Sequence, residues 1–126
     1  MLEQLTQYND IGLFILRLAI AAIFIYHAMP KLQNAKGMAQ MIGVPTGMIL
    51  ALGSMEFLSS VGLVLGIYIQ LAALLLVIVM IGAIGMKVMK WGVPFAAMDK
   101  TGWEFDLILL AGSLALLLGG GGAIGI

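Results

Sequence analysis

The sequence predicts an all-helical, polytopic membrane protein. Its expected architecture is a bundle of four transmembrane helices with a short interfacial helix between the first two. Three observations carry this. Of 126 residues, 63% are hydrophobic and only 10% charged, where a soluble domain carries roughly 25% charged residues. The mean hydropathy is +1.15, more apolar surface than one small soluble core can hide. The apolar residues fall into four blocks, each near the ~20 residues a helix needs to cross a bilayer. None alternates as a membrane β-strand would.

The first block is about 11–29, the second 46–66, the third 68–89 and the fourth 103–119. The chain reads as one domain, 1–126, with the bilayer as its first partner. Residues 1–10 contain Glu3 and Asp10 and no Lys or Arg. They lack the basic n-region of a cleaved signal peptide, so a short polar lead-in is expected. Pro30 has no N–H, and its ring opposes the carbonyl of Tyr26 in a continuous helix. The first span is therefore expected to end or kink near Ala28–Met29. A new short helix follows over 31–41 and lies at the membrane surface. Gln33, Asn34 and Lys36 face water there, and Gly43-Val-Pro45 stops it. The turn at 66–70 is short enough to force an antiparallel hairpin.

Trp91 and Trp103 bracket the polar loop that holds Lys90, Asp99 and Lys100, as in an aromatic belt. The glycine-rich tail 119–126 has few side chains to hold it and is expected to fray. The pairs Gly62/Gly66 and Gly82/Gly85 suggest close helix approach.

Five of the six cations, Lys31, Lys36, Lys87, Lys90 and Lys100, flank loops 30–45 and 90–102. The positive-inside rule makes these loops cytoplasmic, with both termini outside, in a plasma-membrane protein.

The charges inside the slab are the candidate functional residues. Arg17 is about 18 Å from the cytoplasmic edge and Glu56 about 15 Å, at 1.5 Å per residue. A contact between them is expected, since pairing lowers the cost of charge in hydrocarbon. That pair either fixes helix register or makes Glu56 a proton or ligand site at midplane depth. A second cluster is expected at the cytoplasmic edge, with His27, Lys31, Trp103, Glu104, Asp106, Lys87 and Lys90. Histidine passes protons near neutrality. Glu104 would orient His27, and Lys31 would hold an anion or a carbonyl oxygen. The catalytic candidates are His27 and Glu104; the cofactor-binding candidates are Lys31, Glu56, Trp103 and Arg17. Each has a bland counterpart: Lys31 snorkels to headgroups, Trp103 serves in the belt, and Glu104 and Asp106 complement a helix dipole.

A haem or metal centre fits poorly, because one His and no Cys leave a single strong ligand per chain. Ten methionines in apolar spans fill gaps better than they ligate. The absence of cysteine also excludes a dithiol relay on this chain. The zero net charge gives no sign of nucleic-acid binding.

Certain stretches resemble the DoxX family of small bacterial and archaeal membrane proteins. They are Leu16-Arg-Leu-Ala, Tyr26-His-Ala-Met-Pro-Lys-Leu32, Met55-Glu-Phe with Gly62-Leu-Val-Leu-Gly66, and Gly102-Trp-Glu-Phe. The resemblance implies a four-helix membrane fold. It also implies a link to membrane oxidoreductase complexes, the family being named for association with thiosulfate:quinone oxidoreductase. Three functions follow as expectations. The first is a redox-linked subunit that binds a quinone or similar lipid-soluble carrier near the cytoplasmic edge. The second is a non-catalytic scaffold for an oxidoreductase partner subunit. The third is a small proton-coupled transporter that uses Glu56 and works as a homodimer. The sequence does not establish catalysis by this chain alone.

Overall fold

The computed structural model describes residues 2–96 and 102–125, and all regular structure among them is helical. A 3-10 turn, Glu3–Tyr8, leads into α1, Asn9–Gln33. Then come α2, Ala35–Ile42; α3, Thr46–Leu65; and α4, Ile69–Gly85. A π-turn over Met86–Lys90 continues α4, and α5 covers Trp103–Gly119. Asp99 and Lys100 lie outside the described residues. Three segments, Glu3–Gln33, Thr46–Leu65 and Ile69–Lys90, are long and apolar enough to cross a membrane. The protein is a polytopic membrane helical bundle.

The punctuation residues set the helix ends. Gly43, at φ 83°, and Gly66, at φ 78°, adopt the left-handed conformation that closes α2 and α3. Gly66 N–H and Ile67 N–H both donate to Gly62 O at 2.9 Å. Pro45 precedes α3 with extended backbone, the geometry from which a helix can start without wasting a donor.

The expected end of the first helix before Pro30 is corrected. Pro30 lies inside α1, which runs four residues past the expected end before breaking at Asn34. Proline in the last turn forfeits only one ladder bond. The helix continues because Asn34 N–H still donates to Pro30 O at 2.8 Å. Asn34 then leaves helical geometry, and Gly37 makes room for its side chain, which lies 2.6 Å from where a Cβ would stand.

α1 packs most extensively on α3 and α4 on α5. The α3–α4 hairpin joins the two pairs, and α1 meets α5 more lightly. Ile20, Phe24, Leu63, Ala73, Leu76 and Leu116 are buried at the centre. α2 rests on α3 through Ala35, Ala39 and Ile49, while Gln33, Asn34 and Lys36 are exposed. At Gly62 a Cβ would stand 2.9 Å from Ile67 O, in the chain's own turn, and 3.7 Å from Ala72 Cβ, an ordinary contact between α3 and α4. Gly82 and Gly85 mark no close approach, since a Cβ at either would meet nothing within 4 Å.

The tail expected to fray is folded back on the bundle. Gly121 is buried, and Ala123 N–H donates to Asp10 Oδ1 at 3.1 Å. What holds it is Arg17.

Candidate functional site

The two groups of intramembrane charges are partnered differently from the sequence expectation. Arg17, fully buried, does not meet Glu56. Its Nε donates to Leu63 O at 2.8 Å, and one terminal nitrogen donates to Gly121 O at 3.2 Å and to Ile124 O. The Phe14 ring lies 5.1 Å from its Cζ. Leu63 is in the last turn of α3, where carbonyls lack intrahelical donors, and a cation there also meets the negative end of the dipole. Arg17 therefore ties the end of α3 to the tail. It stands about 21 Å along α1 from Lys31 and does not line the cavity described next.

Glu56 is paired with Lys31, whose Nζ donates to Oε1 at 2.7 Å. The reason is register. Extending α1 through Pro30 to Gln33 shifts every depth counted from its end by about 6 Å. Lys31 Cβ then packs against the α3 backbone at Gly53, at 2.9 Å from where a Cβ would stand. That close approach leaves Lys31 less than one turn from Glu56. The second Glu56 oxygen is buried and has no hydrogen-bond partner among the described residues.

This ion pair lies on a cavity of about 720 Å³ enclosed by all five helices and the π-turn. Such a volume is in the range of small-molecule sites. α1 gives Phe24, His27 and Lys31, spaced by helical turns. α5 gives Phe105, Asp106 and Leu109, and the π-turn gives Lys87, with Trp91 just beyond it. Trp91 N–H donates to Met86 O at 3.0 Å, the i→i+5 bond of a π-turn, a feature that concentrates at functional sites. Lys87 Nζ is 2.7 Å from Asp106 Oδ2, a second ion pair. His27 packs on Phe105, ring centroids 5.7 Å apart, and feels the charges of Lys31, Asp106 and Lys87. The chamber thus presents one imidazole and two ion pairs on otherwise apolar walls.

Of the sequence candidates, His27, Lys31 and Glu56 line this chamber, and Trp103 and Glu104 do not. Glu104 is exposed. Trp103 packs edge-on against Phe95 at 4.6 Å between ring centroids. The α5 carboxylate facing the chamber is Asp106, two residues further on and so on a different helix face. A signal for it exists in the sequence: Asp106, Leu109, Ser113 and Leu116 form one helical stripe, and all four are buried. Trp91, read as a belt residue, also faces the chamber.

Comparison with known proteins agrees with this architecture. The DoxX family model matches residues 12–91, which take in α1 from Gly12 on, α2 to α4 and the π-turn. A Bacillus subtilis (strain 168) protein described as "Putative oxidoreductase CatD" is 31% identical over 114 residues, covering 88% of this chain and 81% of that protein. No solved structure matches the chain. With family pattern, relative and helical membrane bundle in agreement, the chain belongs to the DoxX family.

Proposed function

We propose that the chamber binds a quinone or similar lipid-soluble carrier and that the protein is a redox-linked membrane subunit. The observation that carries this reading is the placement of His27 between two ion pairs on apolar walls. A quinone ring needs apolar contact on its faces and hydrogen-bond donors at its two oxygens. The walls offer the first; His27, Lys31 and Lys87 offer the second. A bound quinone would supply a two-electron, two-proton couple. The chain's own part is to position the ring, exclude water and move protons. His27 donates to a ring oxygen and is recharged from the charged edge. The carboxylates of Glu56 and Asp106 neutralise the lysines while no ligand is bound. The electrons are assigned in this reading to an oxidoreductase partner subunit. The description of the Bacillus relative as an oxidoreductase supports this assignment.

In this reading α5, at 17 residues, crosses the membrane as the fourth span of a single domain. At about 25 Å it is short for a hydrocarbon core of ~30 Å, a mismatch that local thinning accommodates. The lysine-rich loops face the cytoplasm across the plasma membrane, with both termini outside.

The two tryptophans give a direct test. Trp91 lines the chamber and Trp103 does not. In a Trp103→Phe background, a short-chain quinone added to protein in nanodiscs should quench Trp91 saturably. His27→Ala should weaken that binding about tenfold, the loss of a hydrogen bond of ~1.5 kcal/mol. Quenching that never saturates, or that ignores His27, would sink the proposal.

A further inference from the structure

The chamber's polar groups are unevenly spread. His27 and Lys31 come from α1, Asp106 from α5 and Lys87 from the π-turn that continues α4, while the lining residues of α3 and of α4 proper are apolar apart from Glu56. α3 and α4 are joined by the turn 66–68, so residues equally far from the turn stand at equal depth. Glu56 is level with Ile78, Leu52 with Gly82, and Met48 with Met86. All six line the chamber. Nearer the turn the helices touch, with Gly62 against Ala72 and with Leu63 and Ala73 fully buried. The two helices thus touch near the turn, and from the level of Glu56 outward the chamber reaches between their lining residues as a seam.

The seam opens on the outer face of the bundle. Ile78 is 54% exposed and Met48 44%, and Gly82 is exposed with open space where its side chain would be. These residues lie within segments long and apolar enough to span the membrane, so the medium outside the seam is lipid. From the level of Glu56 to that of Met48 the seam runs about 12 Å, comparable to a medium-chain aliphatic tail.

We infer that the chamber's ligand is an amphiphile that enters sideways from the bilayer through the α3–α4 seam. Its polar ring head lies against His27 and the ion pairs, and its aliphatic tail stays in the seam at Leu52, Ile78 and Gly82. This rests on the chamber being a ligand site, and it adds the route and the tail. Gly82 is the specificity determinant: it keeps the seam wide enough for a chain of methylenes. A side chain there meets no helix constraint, because the position is ordinary α-helix.

The test uses two quinones with the same ring, one with a decyl tail and one with a methyl group, in nanodiscs of the Trp103→Phe protein. Affinity is read from Trp91 quenching and expressed per mole fraction in lipid, which removes partitioning. The decyl probe should bind at least tenfold more tightly than the methyl probe. Gly82→Leu should weaken the decyl probe at least fivefold and leave the methyl probe within twofold. Ile78→Phe, which fills the same seam from the next turn, should do likewise and serves if Gly82→Leu lowers the melting temperature sharply. Equal affinity for both probes, or equal loss of both in the variants, overturns the seam while leaving the chamber intact. If neither probe binds the parent protein, the chamber reading fails and the seam with it.

Discussion

The Lys31–Glu56 pair can be broken and rebuilt without its charges, and the outcome separates a structural role from a binding role. Lys31 Nζ sits 2.7 Å from Glu56 Oε1, with side-chain exposures of 18% and 2%. At that distance the attraction is about 6 kcal/mol for an effective dielectric of about 20. Desolvation of two ions offsets most of it, so the pair contributes little net stability. Removing one partner is different. Lys31→Met leaves a buried carboxylate whose other oxygen already has no hydrogen-bond partner among the described residues. Breaking a buried pair costs about 3–5 kcal/mol, and the partial exposure of Lys31 puts this case at the lower end. The expectation is about 3 kcal/mol, roughly 150-fold in the folding equilibrium. Lys31→Met with Glu56→Gln should return to within about 1 kcal/mol of the parent, a coupling of at least about 2 kcal/mol once the cost of Glu56→Gln alone is counted. Reversible unfolding in mixed micelles, followed by circular dichroism, measures all four corners of the cycle. Additive costs within ~0.5 kcal/mol would refute the argument that these charges compensate one another. The double variant then answers the functional question. It should be folded yet bind quinone at least tenfold more weakly; unchanged binding would leave the pair a device for helix register alone.

Two further predictions concern the opposite end of the bundle. Arg17→Met removes the donor shared by Leu63 O, Gly121 O and Ile124 O. It should lower stability by about 3 kcal/mol and abolish hydrogen-exchange protection of the Ala123 amide, with quinone binding kept; a protected tail in this variant would contradict its attachment through Arg17. Gly66→Ala forces a side chain onto a residue at φ 78°, with its Cβ 2.7 Å from Gly125 Cα. It should cost about 1–3 kcal/mol in backbone strain alone and release the same tail in the exchange experiment, whereas a stability loss below ~0.5 kcal/mol would show that the cap tolerates a side chain.

The gross architecture was legible because bilayer physics acts on composition. Hydrocarbon thickness dictates block length, and an isolated span must satisfy its own backbone. Registers and partners were less legible, and Arg17 shows why. The sequence indicates that a guanidinium in an apolar span needs acceptors, and it displays one conspicuous intramembrane carboxylate. It does not display carbonyls, because every residue has one. The acceptors Arg17 uses are carbonyls freed by a helix end and by a glycine-rich irregular tail with few side chains to crowd them. The composition that makes 119–126 look unable to fold is what lets it approach so closely, since a Cβ at Gly121 would stand 2.9 Å from Arg17 Cδ.

Pro30 acts through the same limit. Proline predicts a lost hydrogen bond, not where the chain stops being helical, and four residues of continued α1 suffice to exchange one partner for another at Glu56. The choice between Glu104 and Asp106 was open to a finer reading. Both sit in the first turn of α5 and serve its dipole equally well. Only Asp106 shares a stripe with Leu109, Ser113 and Leu116. Once the carboxylate on the buried stripe is taken as the inward one, Lys87 follows as its partner, and the π-turn that carries Lys87 becomes part of the chamber. A single helical-face argument on α5 therefore links half of the site's charges, without any appeal to conserved motifs.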